Sequence, residues 1–178
     1  MDKSFSETYL NFQQVSWDTL KEAINDTLFM TIVSMLIVFV LGLLLGLLLY
    51  SLGRKHSAAR SILYGLVSIL SNIFRSTPFM ILMVLIIPFT KALVGTMLGA
   101  KAAIPALVLS AAPFYARLVE IAFREVDSGV LEAADAMGAS YFQTIYKVLI
   151  PESLPALISG LTVTSVSMIG FTAMAGAI

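Results

Sequence analysis

The sequence contains no cysteine and a single histidine, His56. The first absence removes disulfides, thiolate catalysis and Cys-based metal sites together, and is compatible with any compartment. The second leaves too few imidazoles for a His-built metal site. Charge is scarce as well: Asp, Glu, Lys and Arg make up 12% of the 178 residues, against 58% hydrophobic. That leaves too little polar surface to cover a soluble domain, so the chain reads as an all-α integral membrane protein. Eleven Lys and Arg balance eleven Asp and Glu, so no net charge draws it to nucleic acid or to an acidic partner. No Gly cluster ends in Gly-Lys-Ser/Thr, which excludes ATP hydrolysis by this chain through a phosphate-cradling loop of that kind. No span interior holds a carboxylate, and His56 sits in a basic loop, so neither an aspartyl nor a serine intramembrane protease is supported. A channel would repeat a polar filter, and nothing does. A channel-like or intramembrane enzyme protein stays as the rival class.

What is present is a set of long uncharged runs. About 20 apolar residues at roughly 1.5 Å each cross a hydrocarbon core of roughly 30 Å. Thr27 to Gly53 carries no Asp, Glu, Lys or Arg. It is too long for a signal peptide and lacks a basic start, so it is a retained span. Ser61 to Thr90 is apolar except for Arg75 and contains Pro78 and Pro88, which predicts one span with a tilt or kink. Ala102 to Ala116 is the third, its far end closed by Arg117 and Glu120; Ser153 to Ile178 is the fourth. Residues 1–26 form an external or interfacial segment, with "WDTLKEAI" from Trp17 to Ile24 as an amphipathic turn anchored by Trp17. Residues 27–178 form one transmembrane domain.

With the N-terminus outside, the inner segments hold Arg54, Lys55, Arg60, Arg117, Arg124 and Lys147, and the outer ones Lys3, Lys21, Lys91 and Lys101. The excess of basic residues inside is small but of the expected sign.

The main polar interruption runs from Arg117 to Glu152 and contains "LEAADAMGAS", Leu131 to Ser140. Ser128 is positioned to cap a helix with Glu132 in its first turn, where a carboxylate gains about 0.3–1 kcal/mol from the dipole. Ala133, Ala134, Ala136, Gly138 and Ala139 leave little bulk on that helix, which fits close approach by another protein or simply an Ala-rich surface. Bulk returns at Tyr141, Phe142, Ile145 and Tyr146, and Pro151 and Pro155 bracket the start of the last span.

Glu132-Ala133-Ala134, three residues, Gly138, nine residues and then Val148-Leu149-Ile150-Pro151 resembles the E-A-A-x3-G-x9-I-x-L-P signature of permease subunits in binding-protein-dependent ABC importers. Val148 and Ile150 are the only departures, both conservative. "NIFRSTPFMILMVLIIPFTKALVGTMLG" and "AAPFYARLVE" are similar to the methionine-uptake permeases of that superfamily, and more distantly to polar amino-acid permeases. The resemblance covers about residues 27–178. It implies a multi-span bundle in the bacterial cell membrane (the inner membrane in a Gram-negative cell) working as a homodimer by alternating access. It also implies two cytoplasmic ATPase subunits that bind the ATP, an external substrate-binding protein, and a coupling loop at about residues 124–151 carrying Glu132, Ala133, Ala134, Gly138 and Pro151. Methionine is the implied substrate, with another amino acid or a small peptide as the alternative. The family has five spans, so the fifth is expected to be missing from these residues.

Two further residues draw attention in that frame. Arg75 falls midway along the second hydrophobic region, and a charge at bilayer depth costs at least about 2.5–3.5 kcal/mol, so it must face protein or water: it contacts the translocation path, pairs with backbone carbonyls, or lies nearer the interface than the count suggests. Met174, in "FTAMAGAI", is one long flexible side chain among small ones. Across a two-fold axis two copies would form an apolar gate; ordinary packing is the competing reading. Gly42 and Gly46 form a G-x-x-x-G that brings helices close, with self-association the weaker reading.

Overall fold

The computed structural model describes residues 16–53 and 58–176. Among them every regular element is helical: α1 (Trp17–Gly53), α2 (Ala58–Ser76), α3 (Phe79–Leu85), α4 (Ile87–Val94), α5 (Ala100–Arg124), α6 (Ser128–Ala136), α7 (Tyr141–Thr144), a π-helical turn (Ile145–Leu149) and α8 (Ile150–Ala175). Three helices are long and apolar enough to cross a membrane: α1, α5, and the composite that runs from α7 through α8; α2 and α3 count as a fourth only if taken together. Lys3, Arg54, Lys55 and His56 lie outside the described residues, as does most of the expected external segment.

The core is built around α5. Its inner positions are small or compact, including Ala103, Ala106, Ala111, Ala112 and Ala116, interleaved with the fully buried Leu107, Tyr115, Val119 and Phe123. α1 meets it along a ridge spaced by four, Met30, Ser34, Val38, Gly42 and Gly46, the i±4 row by which helices interlock. Glycine is required twice on that ridge. A Cβ on Gly42 would stand 2.5 Å from Cδ1 of Tyr115, and one on Gly46 would stand 2.5 Å from Val119 and 2.7 Å from the carbonyl of Ala116. The G-x-x-x-G therefore seats α1 against α5 of the same chain. α8 closes the other side of α5 with Leu157, Gly160, Thr164, Met168 and Thr172 inward. The hydroxyl of Thr164 donates to the carbonyl of Gly160 at 2.8 Å, so a buried polar group stays satisfied inside its own helix.

Three sequence expectations change. Ser61 to Thr90 is not one tilted span: Thr77 and Pro78 break it, and α3 leaves at 106° to α2. Pro78 lacks an N–H to continue the ladder and disfavours helical geometry in the residue before it, so the chain turns instead of bending. The stretch Trp17 to Ile24 is no separate turn but the start of the 37-residue α1, about 55 Å long at 1.5 Å per residue and so longer than the hydrocarbon core. The helix that holds the third expected span does not stop at Arg117 and Glu120, since α5 continues for one further turn to Arg124.

Candidate functional site

The loop between α5 and α8 is built from local signals that follow one another closely. Asp127, not Ser128, caps α6: its carboxylate accepts from the backbone N–H of Gly129 at 2.6 Å. The helix lasts nine residues and ends in a left-handed turn at Gly138, φ 78°. There the N–H of Ala139 donates to the carbonyl of Ala134 at 3.1 Å and that of Gly138 to Asp135 at 3.0 Å. This paired arrangement closes a helix with a residue that only glycine occupies without strain. Two residues later Ser140 and Gln143 form a reciprocal cap, Ser140 N–H donating to the Gln143 amide oxygen at 2.8 Å. α7 then widens into the π-helical turn, which runs straight into α8 and Pro151 in its first turn, so the wider turn stands where proline has no N–H to continue the ladder.

This geometry sorts the expected loop residues. Ala134 and Leu131 face inward and are buried, so Ala134 is small for packing within the loop. Glu132 and Ala133 are exposed. Gly138 is exposed with open space where a Cβ would stand; its smallness answers the turn rather than a neighbour. Beside them Met137 is 81% exposed and Phe142 77%, with Tyr141 and Tyr146 also uncovered. Four large side chains on a short loop otherwise rich in alanine make an apolar patch of the kind that marks a contact surface.

Just before the loop lies a charged cluster that sequence reasoning missed. Glu120 is 0% exposed and receives Arg117 Nη1 at 2.5 Å, Arg124 Nη2 at 2.8 Å and Nε at 3.0 Å, and the Tyr64 hydroxyl at 3.0 Å. Arg117 Nη1 also donates to Tyr64 at 3.1 Å. One buried carboxylate thus has four charge-assisted or hydroxyl donors, which answers the cost of burying it, and ties α2 to α5. The end of α1 is held against the same group: a Cβ on Gly53 would strike Nη2 of Arg124. The spacing R-x-x-E-x-x-x-R, placing both guanidiniums on one helix face as i−3 and i+4 neighbours, was the available signal.

Arg75 is not midway along a span. It sits in the last turn of α2 beside the break, its guanidinium carbon 5.9 Å from the ring centre of Phe114, at the edge of a partly open cavity of about 230 Å³ between α2, α5 and α8. Met174 is 47% exposed near the end of α8. It lies seven residues after Ser167, two helical turns along the same face, and Ser167 lines that cavity.

Apolar membrane-length helices packed on a central α5, with one compact exposed loop between the last two, define a multi-span helical membrane protein. Residues 42–178 match the family described as the binding-protein-dependent transport system inner membrane component, and the chain belongs to that family. It is 61% identical over 124 residues to the methionine import system permease protein MetP of Bacillus subtilis, an alignment covering 70% of this chain and 54% of that protein. It is 47% identical over 157 residues to the D-methionine transport system permease protein MetI of Escherichia coli K12, covering 88% and 72%. A solved structure of the MetNI methionine ABC transporter in an inward-facing conformation superimposes with a TM-score of 0.84 at 46% identity, over 92% of this chain and 77% of that one.

Proposed function

We propose that the chain is the membrane subunit of an ATP-driven importer of methionine, and that α6 is the helix through which a separate ATPase moves it. The observation that carries this is the loop itself. A nine-residue helix, capped at both ends, stands at the junction of α5 and α8 with Glu132, Ala133, Met137 and Phe142 uncovered. Its E-A-A…G register coincides with the cap and turn that make it rigid. Such a helix passes on a push without unwinding. The likeness to methionine permeases and to a methionine ABC transporter supports the substrate.

In this reading two copies of the chain surround a central path, two ATPase subunits bind beneath, and an external binding protein delivers the substrate. ATP closes the ATPases and draws the two α6 helices together. The buried Glu120 cluster joins α1, α2 and α5, so these helices turn as one body and the path opens to the other side. Met174 gates that path where α8 meets its copy across the two-fold axis. Its place on the cavity-side face of α8 supports this.

The test is uptake of labelled methionine by proteoliposomes holding the full-length chain with its ATPase and binding protein. ATP-dependent accumulation is expected. Accumulation of a different amino acid or a peptide in preference would overturn the substrate; solute flow without ATP would favour a channel.

A further inference from the structure

The cavity beside Arg75 has a chemical make-up that the coupling scheme leaves unused. Arg75 makes no hydrogen bond or ion pair among the described residues; its guanidinium lies over the face of Phe114. A guanidinium resting on a ring 5.9 Å away is held by a weak interaction when exposed, on the order of 0.5–1 kcal/mol, and is free to take a better partner. The cavity wall carries no carboxylate that could be that partner.

Four hydroxyls share the wall, those of Thr77, Ser110, Thr164 and Ser167, and that of Thr164 donates to the carbonyl of Gly160 at 2.8 Å. Thr77 donates its hydrogen to the carbonyl of Ile73 at 2.8 Å and Ser167 to that of Val163 at 3.1 Å. Their oxygens therefore offer only lone pairs to a ligand. The Ser110 hydroxyl has no hydrogen-bond partner among the described residues. Phenylalanine supplies most of the rest, Phe114 on one side and Phe171 stacked on Phe79 with ring centres 5.0 Å apart, with Pro78 and Ala111 completing the wall. The volume, about 230 Å³, falls below the roughly 300–1,000 Å³ of pockets for drug-sized ligands.

We propose that this cavity is a transient binding site for a small amino-acid zwitterion with an apolar side chain, whose carboxylate is held by Arg75. The fork of guanidinium donors meets a carboxylate with two parallel bonds. The ammonium group donates to the hydroxyl oxygens of Thr77 and Ser167, which need no negative charge to accept it. The side chain lies against the rings, and a thioether gains from the sulfur–aromatic contact. The site discriminates by what it lacks. With no carboxylate and one arginine it accepts a neutral zwitterion, while a cationic side chain would meet Arg75 unpaired. The assignment deepens the permease reading and rests on it.

A photoreactive diazirine analogue of methionine tests this in the assembled transporter, full-length chain, ATPase and binding protein together in nanodiscs, with methionine uptake measured in parallel. Illumination during turnover is expected to label peptides containing Phe114 and Phe171. Arg75→Gln is expected to lower that labelling roughly tenfold to hundredfold, the span of a lost charge-assisted bond. Arg75→Lys, which keeps the charge but not the fork, is expected to fall between, and carries the test if the Gln variant does not assemble. Labelling of other segments only, in a complex that takes up methionine, overturns the site. Undiminished labelling in both variants overturns the role of Arg75. A wild-type complex that takes up no methionine overturns the substrate reading instead.

Discussion

Replacing Gly46 by alanine adds a single methyl group, yet the structure makes it one of the more damaging changes available. The new Cβ would stand 2.5 Å from Cβ and Cγ1 of Val119 and 2.7 Å from the carbonyl oxygen of Ala116. Ordinary carbon contacts begin near 3.5 Å, so the two helices must separate by close to 1 Å. Neither obstacle swings aside, since one is backbone and the other a buried β-branched residue fixed at χ1. Overpacking of this kind costs about 1–3 kcal/mol, and alanine's better helix propensity returns at most about 1. A net loss of about 1–2 kcal/mol is expected. Gly42→Ala should cost less, because its 2.5 Å neighbour is a ring carbon of Tyr115. Gly65→Ala and Gly170→Ala, with nothing within 4 Å of the added carbon, should be neutral or slightly stabilising. Thermal unfolding in detergent, followed by size-exclusion of fluorescently tagged protein, ranks the four. Gly46→Ala as stable as Gly170→Ala would refute the close packing of α1 on α5.

At Gly138, Asn should be tolerated better than Ala although it is larger, because the position needs a left-handed conformation, φ 78°, which Asn adopts more readily; the ratio of transport to ATP hydrolysis reads the difference, and equal behaviour would return Gly138 to a docking role. Glu120→Gln should lower stability by about 2–3 kcal/mol, toward or below the low end for breaking a buried pair, since both guanidiniums are nearly half exposed and can turn to water; denaturation of Glu120→Gln beside Tyr64→Phe measures it. Met174→Ala should raise leak of small solutes or basal ATPase activity with assembly intact, and unchanged values in flux and hydrolysis assays would return the residue to packing. Topology reporters fused after Arg60 or Lys147 should be cytoplasmic, and one near Gly99 external.

The spans and the loop were legible in the sequence because they rest on one-dimensional signals. Uncharged runs mark α1 and α8, and small residues followed by Gly138 mark α6 and its end. What stayed hidden depends on three-dimensional neighbours. Gly42 and Gly46 looked like a generic association motif until α5 supplied Tyr115 and Val119. Glu120 looked like a span terminus because counting treats a charge as an edge; four donors, one from Arg117, two from Arg124 and one from Tyr64 across on α2, are what let it be buried. Arg75 looked central to a span because a proline break cannot be told from a kink without the 106° turn that follows.

The absence of cysteine from these 178 residues allows a direct test of the coupling loop, since a thiol introduced there is the only one among them. Met137, 81% exposed beside α6, and Leu98, 71% exposed at the opposite end of α5, are each replaced by cysteine in the full-length chain. The chain is then treated with a short bifunctional cross-linker in membranes containing the co-expressed ATPase. Met137→Cys is expected to give a permease–ATPase adduct that changes in yield with ATP, and Leu98→Cys none; an ATPase adduct at Leu98→Cys, or none at Met137→Cys, would contradict the assignment of α6.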